Sequence, residues 1–314
     1  MYPSVAGAIG NTPLVDLPKI SELAGGRIIA KLEYLNPGGS KKDRVARQII
    51  EDAEREGVLQ PGRTVVEVTS GNTGTGLAIV CATKGYPFVA IMSQGNSVER
   101  TRMMSALGAE VIIVPQCTGS IHGQVSGADL ALLEEECARI VRERNAFRAN
   151  QFYSTSNFRA HYLHTGREIL ADASCTLDVF CDFVGTGGTF AGCAAAFKEA
   201  DPLTRCYIAE PENAPALSGG CITDSRHRIQ GGGYAIRELP MIRREQVDGF
   251  IQVNDADAIE WSRKLARLEG IFAGFSAGAN LTAAARLLGS DFHGKTCVVI
   301  IPDSGLKYMS TDLW

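Results

Sequence analysis

The chain has 314 residues, 45% hydrophobic and 21% charged, with 34 glycines and 12 prolines. This composition excludes collagen-like, low-complexity and largely disordered classes, and the length suits two lobes or one large α/β unit. Lys and Arg total 31 against 35 Asp and Glu, a formal charge of −4, and the absence of a basic block argues against a nucleic-acid partner.

Apolar, β-branched-rich runs of strand length lie at 28–32, 64–68, 88–92, 111–114, 179–184, 206–209 and 297–301, with helical patterning between many of them. That alternation predicts a parallel, doubly wound α/β sheet, or two of them. Ser40 followed by Asp43 has the form of an N-cap with an acidic first turn. Val45, Ala46, Ile49, Ile50 and Ala53 then make one apolar stripe before Gly57, which predicts a helix near 41–56. Two more helices are expected straight after Gly-rich turns that follow strands. Thr69-Ser70-Gly71-Asn72-Thr73-Gly74 precedes 77–84, and Gly185-Thr186-Gly187-Gly188-Thr189 precedes 192–199. In open α/β sheets ligands bind at that edge, where helix N-termini attract anions. A composition shift over 139–147 marks the expected lobe boundary.

Nine cysteines, at 81, 117, 137, 175, 181, 193, 206, 221 and 297, include no Cys-x-x-Cys pair; they read as small apolar core residues, not as a disulfide framework or zinc site. The five histidines lack His-Glu-x-x-His spacing, so no metal is expected. His161 and His164 share a possible helix face and read as structural. The N-terminus lacks a basic region followed by a long apolar one, and no apolar run nears the roughly 20 residues that cross a bilayer. A reducing cytoplasm, with no membrane partner, is the expected setting.

The turn Gly185 to Thr189 has no bulky side chain and two hydroxyls, which suits a phosphate monoester; its spacing misses both the P-loop and Gly-x-Gly-x-x-Gly. The competing view is a tight turn whose glycines serve packing alone. Lys42 falls in the first turn of its helix, where the macrodipole disfavours a charged ammonium, so it is a candidate Schiff-base former; Lys41 competes with it, and both also read as solvated surface lysines. The Asn72 amide, flanked by hydroxyls and main-chain donors, suits a carboxylate or a phenolic oxygen, or else an Asx turn. Ser276, in Gly274-Phe-Ser-Ala-Gly278, is either a functional hydroxyl or the N-cap of the Ala-rich segment after it.

Read in order, Asn36-Pro-Gly-Gly-Ser-Lys-Lys-Asp-Arg44, Glu67-Val-Thr-Ser-Gly-Asn-Thr-Gly74, the 185–189 turn, Gly270-Ile-Phe-Ala-Gly-Phe-Ser-Ala-Gly278 and Pro302-Asp-Ser-Gly305 resemble the cysteine synthase (O-acetylserine sulfhydrylase) family of fold-type II pyridoxal-phosphate enzymes. The match runs from Gly10-Asn-Thr-Pro-Leu14 to Tyr308-Met-Ser-Thr311. The resemblance implies a tryptophan-synthase-β-like fold: two doubly wound α/β/α lobes, 35–146 against 13–34 plus 147–314, with the cofactor cleft between them. It implies pyridoxal 5′-phosphate as cofactor and Lys42 as the cofactor lysine and catalytic base. Asn72 would meet the pyridoxal 3′-oxygen, Gly185, Thr186, Gly187, Gly188 and Thr189 the phosphate, and Ser276 the pyridine nitrogen. Thr69, Ser70, Gly71, Thr73 and Gln151 would receive the substrate α-carboxylate.

The implied reaction is β-replacement on an O-activated L-serine through an α-aminoacrylate, with O-acetylserine and sulfide giving cysteine and acetate. The alternatives are an O-phosphoserine donor, another thiol or amine nucleophile (a cystathionine-, lanthionine- or diaminopropionate-type synthase), or a β-elimination lyase. A catalytically silent binding protein is the reading from another class. Small-molecule substrates, a homodimer and a serine acetyltransferase tail are the implied partners. Four places depart from the family pattern: Gln230-Gly-Gly-Gly-Tyr-Ala235, Ser93-Gln-Gly-Asn-Ser97, the long 116–127 segment, and bulky Phe275 beside Ser276. Nucleophile and leaving-group choice reside in such loops. An O-phosphoserine enzyme would need a further cation, for which Arg100, Arg102, Arg226 and Arg237 are available.

Overall fold

In the computed structural model, which describes residues 1–69, 71–95, 98–118 and 127–314, strand and helix alternate along the chain. First come β1 (Leu14–Asp16), α1 (Pro18–Ala24) and β2 (Arg27–Leu32). Next are α2 (Lys42–Arg55), β3 (Val65–Val68), α3 (Asn72–Lys84), β4 (Phe88–Ser93), α4 (Val98–Ala106), β5 (Glu110–Val114), α5 (Gly127–Arg144) and β6 (Phe147–Arg148). The remainder is α6 (Thr155–Ala160), α7 (Gly166–Asp172), β7 (Val179–Phe183), α8 (Gly188–Ala200), β8 (Arg205–Pro211), β9 (Gly249–Val253), α9 (Asp255–Glu269), α10 (Phe275–Leu288) and β10 (Thr296–Ile301).

Two compact units result: Met1–Ile9 with Asn36–Asn157, and Gly10–Leu35 with Phe158–Trp314. The first holds a parallel four-stranded sheet in the order β5-β4-β3-β6. The second holds a six-stranded sheet in the order β1-β2-β10-β7-β8-β9, parallel except for the antiparallel edge strand β1. β6 pairs with β3, Phe147 opposite Val65, and so keeps the chain in the first unit as far as Asn157. The two-residue strand β6 leaves no periodic trace in the sequence.

Helices α3 and α8 both start earlier than their hydrophobic patterns indicate. Gly71 (φ 151°) and Gly187 (φ 89°) act as N-caps in backbone conformations other residues avoid, so α3 begins at Asn72 and α8 at Gly188. At α2 the cap residue is Lys41, and the expected cap Ser40 still contributes, its Oγ accepting from Lys42 N at 3.3 Å.

Six of the nine cysteines are buried. Burial pushes Cys81 and Cys206 up to about 12 and Cys137 to about 11, which keeps them as neutral thiols filling the core. No helix among the described residues is long and apolar enough to cross a membrane.

The second unit buries one ammonium completely. Lys31 on β2 is 0% exposed, and its Nζ lies 2.6 Å from Thr12 O, 3.0 Å from Glu168 Oε2 and 3.3 Å from Asp172 Oδ2. Those partners on α7 offset the desolvation of the charge and tie the early β1–β2 ribbon to a distant part of the chain. Lys31→Met keeps the stem but strands these acceptors. It is expected to lower stability by about 1–3 kcal/mol, read as a lower denaturant midpoint with an unchanged slope; an unchanged midpoint would show that the ammonium contributes nothing.

Candidate active site

In the first unit, Lys42 is the first residue of α2, and its backbone is pressed against α3. A Cβ added to Gly76 would lie 3.0 Å from the Lys42 carbonyl oxygen and 3.0 Å from Asp43 Cα, so a glycine is needed for the helices to approach this closely. Asp43 does more than start the helix. Its buried carboxylate accepts from Gly38 N at 2.5 Å and so ties the glycine loop before Lys42 to α2.

Asn72 and Thr73 open α3. Thr69, 4% exposed, accepts from Gly71 N at 3.2 Å and Gly74 N at 2.9 Å; its hydroxyl hydrogen is what it can offer a carboxylate. Thr73 donates to Gln151 Oε1 at 2.6 Å, joining residues 78 apart in the chain. Gln151 Nε2 donates to Val68 O at 3.4 Å, while Asn157 Nδ2 donates to Gln151 O at 2.9 Å. Behind this group stands Glu67, which accepts from Asn150 N at 2.6 Å and Gln151 N at 3.4 Å. Ser70 lies outside the described residues, as do Asn96, Ser97 and most of the 116–127 segment.

In the second unit, the 185–189 turn follows β7 and leads into α8. Its N-cap is Gly187, no side chain caps the helix, and the first-turn N–H groups are thus anion donors. Thr186 and Thr189 are each 6% exposed. Thr189 Oγ lies 3.2 Å from His161 Nε2, and His161 Nδ1 lies 3.0 Å from Thr165 Oγ. His161 is fully buried in a π-helical turn, His161–Thr165, whereas His164 is exposed. The wider turn separates the two rings, which the α-helical spacing had put on one face.

Ser276 is the second residue of α10 and 7% exposed; the N-cap is Gly274, so the capping role is not what Ser276 does. One turn later Asn280 accepts from Phe183 N at 2.6 Å and donates to Ile300 O at 2.8 Å, which pins α10 to the ends of β7 and β10. Phe275 packs edge-on against Tyr308, centroids 5.5 Å apart, and Tyr308 donates to Asp303 at 2.6 Å. Gly233 N donates to Val184 O at 2.9 Å, and Tyr234 lines a small cavity with Gly185 and Glu210. The departing 230–235 segment thus lies beside the 185–189 turn. Of the four arginines, Arg226 is held by Asp224 through contacts of 2.8 and 2.9 Å.

The sequence pattern gives Glu67 and Asn280 no role, and it reads His161 as structural without indicating its partners Thr189 and Thr165. An acid between valines in a buried strand was a readable signal for Glu67; the other two are recognisable only once their partners are known.

A family model described as pyridoxal-phosphate dependent enzyme matches residues 5–303. The chain belongs to that family. Cysteine synthases from several strains of Staphylococcus aureus are 39% identical over 313 residues, 99% of this chain and 96% of theirs. Among solved structures, an O-ureido-L-serine synthase matches with a TM-score of 0.88 at 38% identity, over 100% of this chain and 95% of that one. O-acetyl serine sulfhydrylase isoform 3 from Entamoeba histolytica matches with 0.91 at 33%, over 100% and 92%. A hydrogen sulfide-producing enzyme from Fusobacterium nucleatum matches with 0.88 at 39%, over 98% and 100%.

Enzymes of this family use pyridoxal 5′-phosphate, and the 185–189 turn has donors of the kind its phosphate takes, the hydroxyls of Thr186 and Thr189 at a helix start whose N-cap, Gly187, has no side chain. A Cβ on Gly185 would stand 2.5 Å from the Gly231 carbonyl oxygen, so glycine there lets the turn pack against the 231–233 backbone. Gly185→Ala must push the 231–233 backbone or the turn itself aside. It is expected to weaken cofactor binding by about tenfold, equivalent to about 1.4 kcal/mol, measured by titrating apoprotein with pyridoxal phosphate; unchanged affinity would remove the turn from the phosphate site.

Proposed function

We propose that the chain replaces the β-substituent of an O-activated L-serine, with O-acetylserine and sulfide as substrates and cysteine and acetate as products. The observation that carries this reading is the likeness to cysteine synthases along 99% of the chain at 39% identity. Lys42, Asn72, the 185–189 turn and Ser276 all stand within the motifs that likeness covers.

When bound, pyridoxal phosphate supplies an electron sink that acidifies the amino acid's Cα–H and lets the β-substituent leave. Lys42 would hold the cofactor, and its Nζ is the base that would take the proton from Cα and return one. Asn72 would donate to the pyridoxal 3′-oxygen. The N–H groups and hydroxyls of Gly185, Thr186, Gly187, Gly188 and Thr189 hold the phosphate. Thr69, Ser70, Gly71, Thr73 and Gln151 orient the α-carboxylate, which fixes the Cα–H for Lys42. A neutral Ser276 hydroxyl at the ring nitrogen does not enforce a charged ring, which suits loss of a β-substituent over reactions that need a persistent carbanion.

The O-ureido-L-serine synthase and hydrogen sulfide-producing neighbours favour a second reading, the same first half-reaction completed by another nucleophile or by elimination. The resemblance also supports a homodimer in the cytoplasm with a docked serine acetyltransferase tail.

Mixing the holoenzyme with O-acetylserine or O-phosphoserine, and then with sulfide, thiols and amines, separates these readings. The donor that changes the cofactor spectrum and the nucleophile that restores it fastest name the substrates, and pyruvate release without a nucleophile identifies elimination. Lys42→Ala is expected to cut turnover by about 10²–10⁴-fold with the fold intact by circular dichroism; normal turnover would rule out this lysine. Ser276→Asp is expected to shift the cofactor spectrum and slow loss of the β-substituent, and an unchanged rate would remove its role at the ring nitrogen.

A further inference from the structure

We propose that Glu67 is a proton-gated clamp on the Asn150–Gln151 turn, a positioning residue that determines how well Gln151 and Thr73 present a site for the substrate carboxylate. The proposal rests on the reading above, in which those two residues receive that carboxylate.

β3 is an interior strand of its sheet, and Glu67 is 2% exposed on it. Its carboxylate accepts two consecutive backbone N–H groups, Asn150 N at 2.6 Å and Gln151 N at 3.4 Å. Asn150 holds φ at 52°, in the left-handed region that asparagine adopts in turns, and its carbonyl accepts from Tyr153 N and Ser154 N, so the Glu67 contact adds to a turn already closed on the other side. The shape matters because the Gln151 side chain then meets Thr73 Oγ at 2.6 Å and Val68 O at 3.4 Å. A continuous chain of hydrogen bonds therefore links the Glu67 carboxylate to Thr73.

The charges around Glu67 make that link sensitive to pH. Burial pushes its carboxyl up to about 7, against the pull of the Arg148 guanidinium on β6 and of the two N–H donors, while Glu134 on α5 adds to the rise. Arg148 is itself shared, donating to Glu134 at 2.8 Å. Cys137 on α5, pushed to about 11 chiefly by burial, stays neutral throughout this range. Above neutrality Glu67 is a carboxylate and accepts both N–H groups. Below it, one oxygen carries a hydrogen and can no longer accept from the donor facing it, so the turn loses one of its two ties to Glu67.

The test measures donor KM and kcat of the holoenzyme between about pH 5.5 and about pH 8.5, with hydrogen exchange of the peptide containing Asn150 and Gln151, corrected for intrinsic rates. Wild type is expected to show donor KM rising about fivefold from high to low pH with kcat nearly constant, the size of one ordinary hydrogen bond, and exchange accelerating through the same midpoint. Glu67→Gln should abolish the step. Arg148→Met, which removes the opposing cation, should move the midpoint to higher pH and serves if the glutamine variant fails to fold. A step that survives in Glu67→Gln, or a midpoint that Arg148→Met leaves in place, overturns the proposal. Gln151→Ala and Thr73→Val test the underlying reading: if they leave donor KM unchanged, the carboxylate site is misassigned, whereas if they raise it and Glu67→Gln keeps the step, the clamp alone fails.

Discussion

The chemistry of the first unit depends on how closely α3 approaches α2 at Gly76. A lysine side chain has four rotatable methylenes, so its reach is useful only if its backbone is fixed. Here the Lys42 carbonyl and Asp43 Cα sit where a single methyl on α3 would crowd them. Asn72 lies one turn before Gly76 and on the same face of α3, so the contact that fixes Lys42 also sets its spacing from Asn72. Interiors packed at crystal density have no slack to absorb a shift there. Asp43, next in the chain, holds the Gly38 amide of the preceding loop against α2.

Both units use the same local device, a strand, a glycine in a left-handed conformation, and a helix whose first N–H groups lack capping by the N-cap side chain. They then diverge. In the first unit Thr69 reaches over from the strand end and satisfies Gly74 N, so part of the donor set is used by the protein itself. In the second, the hydroxyl of Thr189 is turned by buried His161, which is in turn held by Thr165. The two helix starts therefore differ in how much of their donor set the protein itself uses.

Much of this was legible in the residues. The seven apolar runs are strands, and the glycine-rich turns do stand at strand ends. What escaped reading did so for physical reasons. β1 and β6 are three and two residues long, too short for periodicity to register, and β9 is a half-exposed edge strand. The first turns of α3 and α8 were read as loop because Gly, Asn and Thr carry no apolar stripe. Glu67 stands out locally only as an acid between valines, since its partners lie in a turn 83 residues away. His161 was judged by α-helical spacing, which the π-helical turn does not obey.

The pairing of β2 has a consequence for how the chain comes into being. β2 is complete by Leu32, yet it lies between β1 and β10, and the latter spans Thr296–Ile301. During vectorial synthesis on the ribosome, this early strand therefore waits for almost the whole polypeptide before its parallel neighbour exists. Meanwhile the first unit, from Asn36 to Asn157, has every strand of its own sheet in hand. Nascent chains thus pass through a stage with one finished sheet and one apolar strand bearing an unmatched edge, the species that chaperones shield and that self-associates when shielding fails.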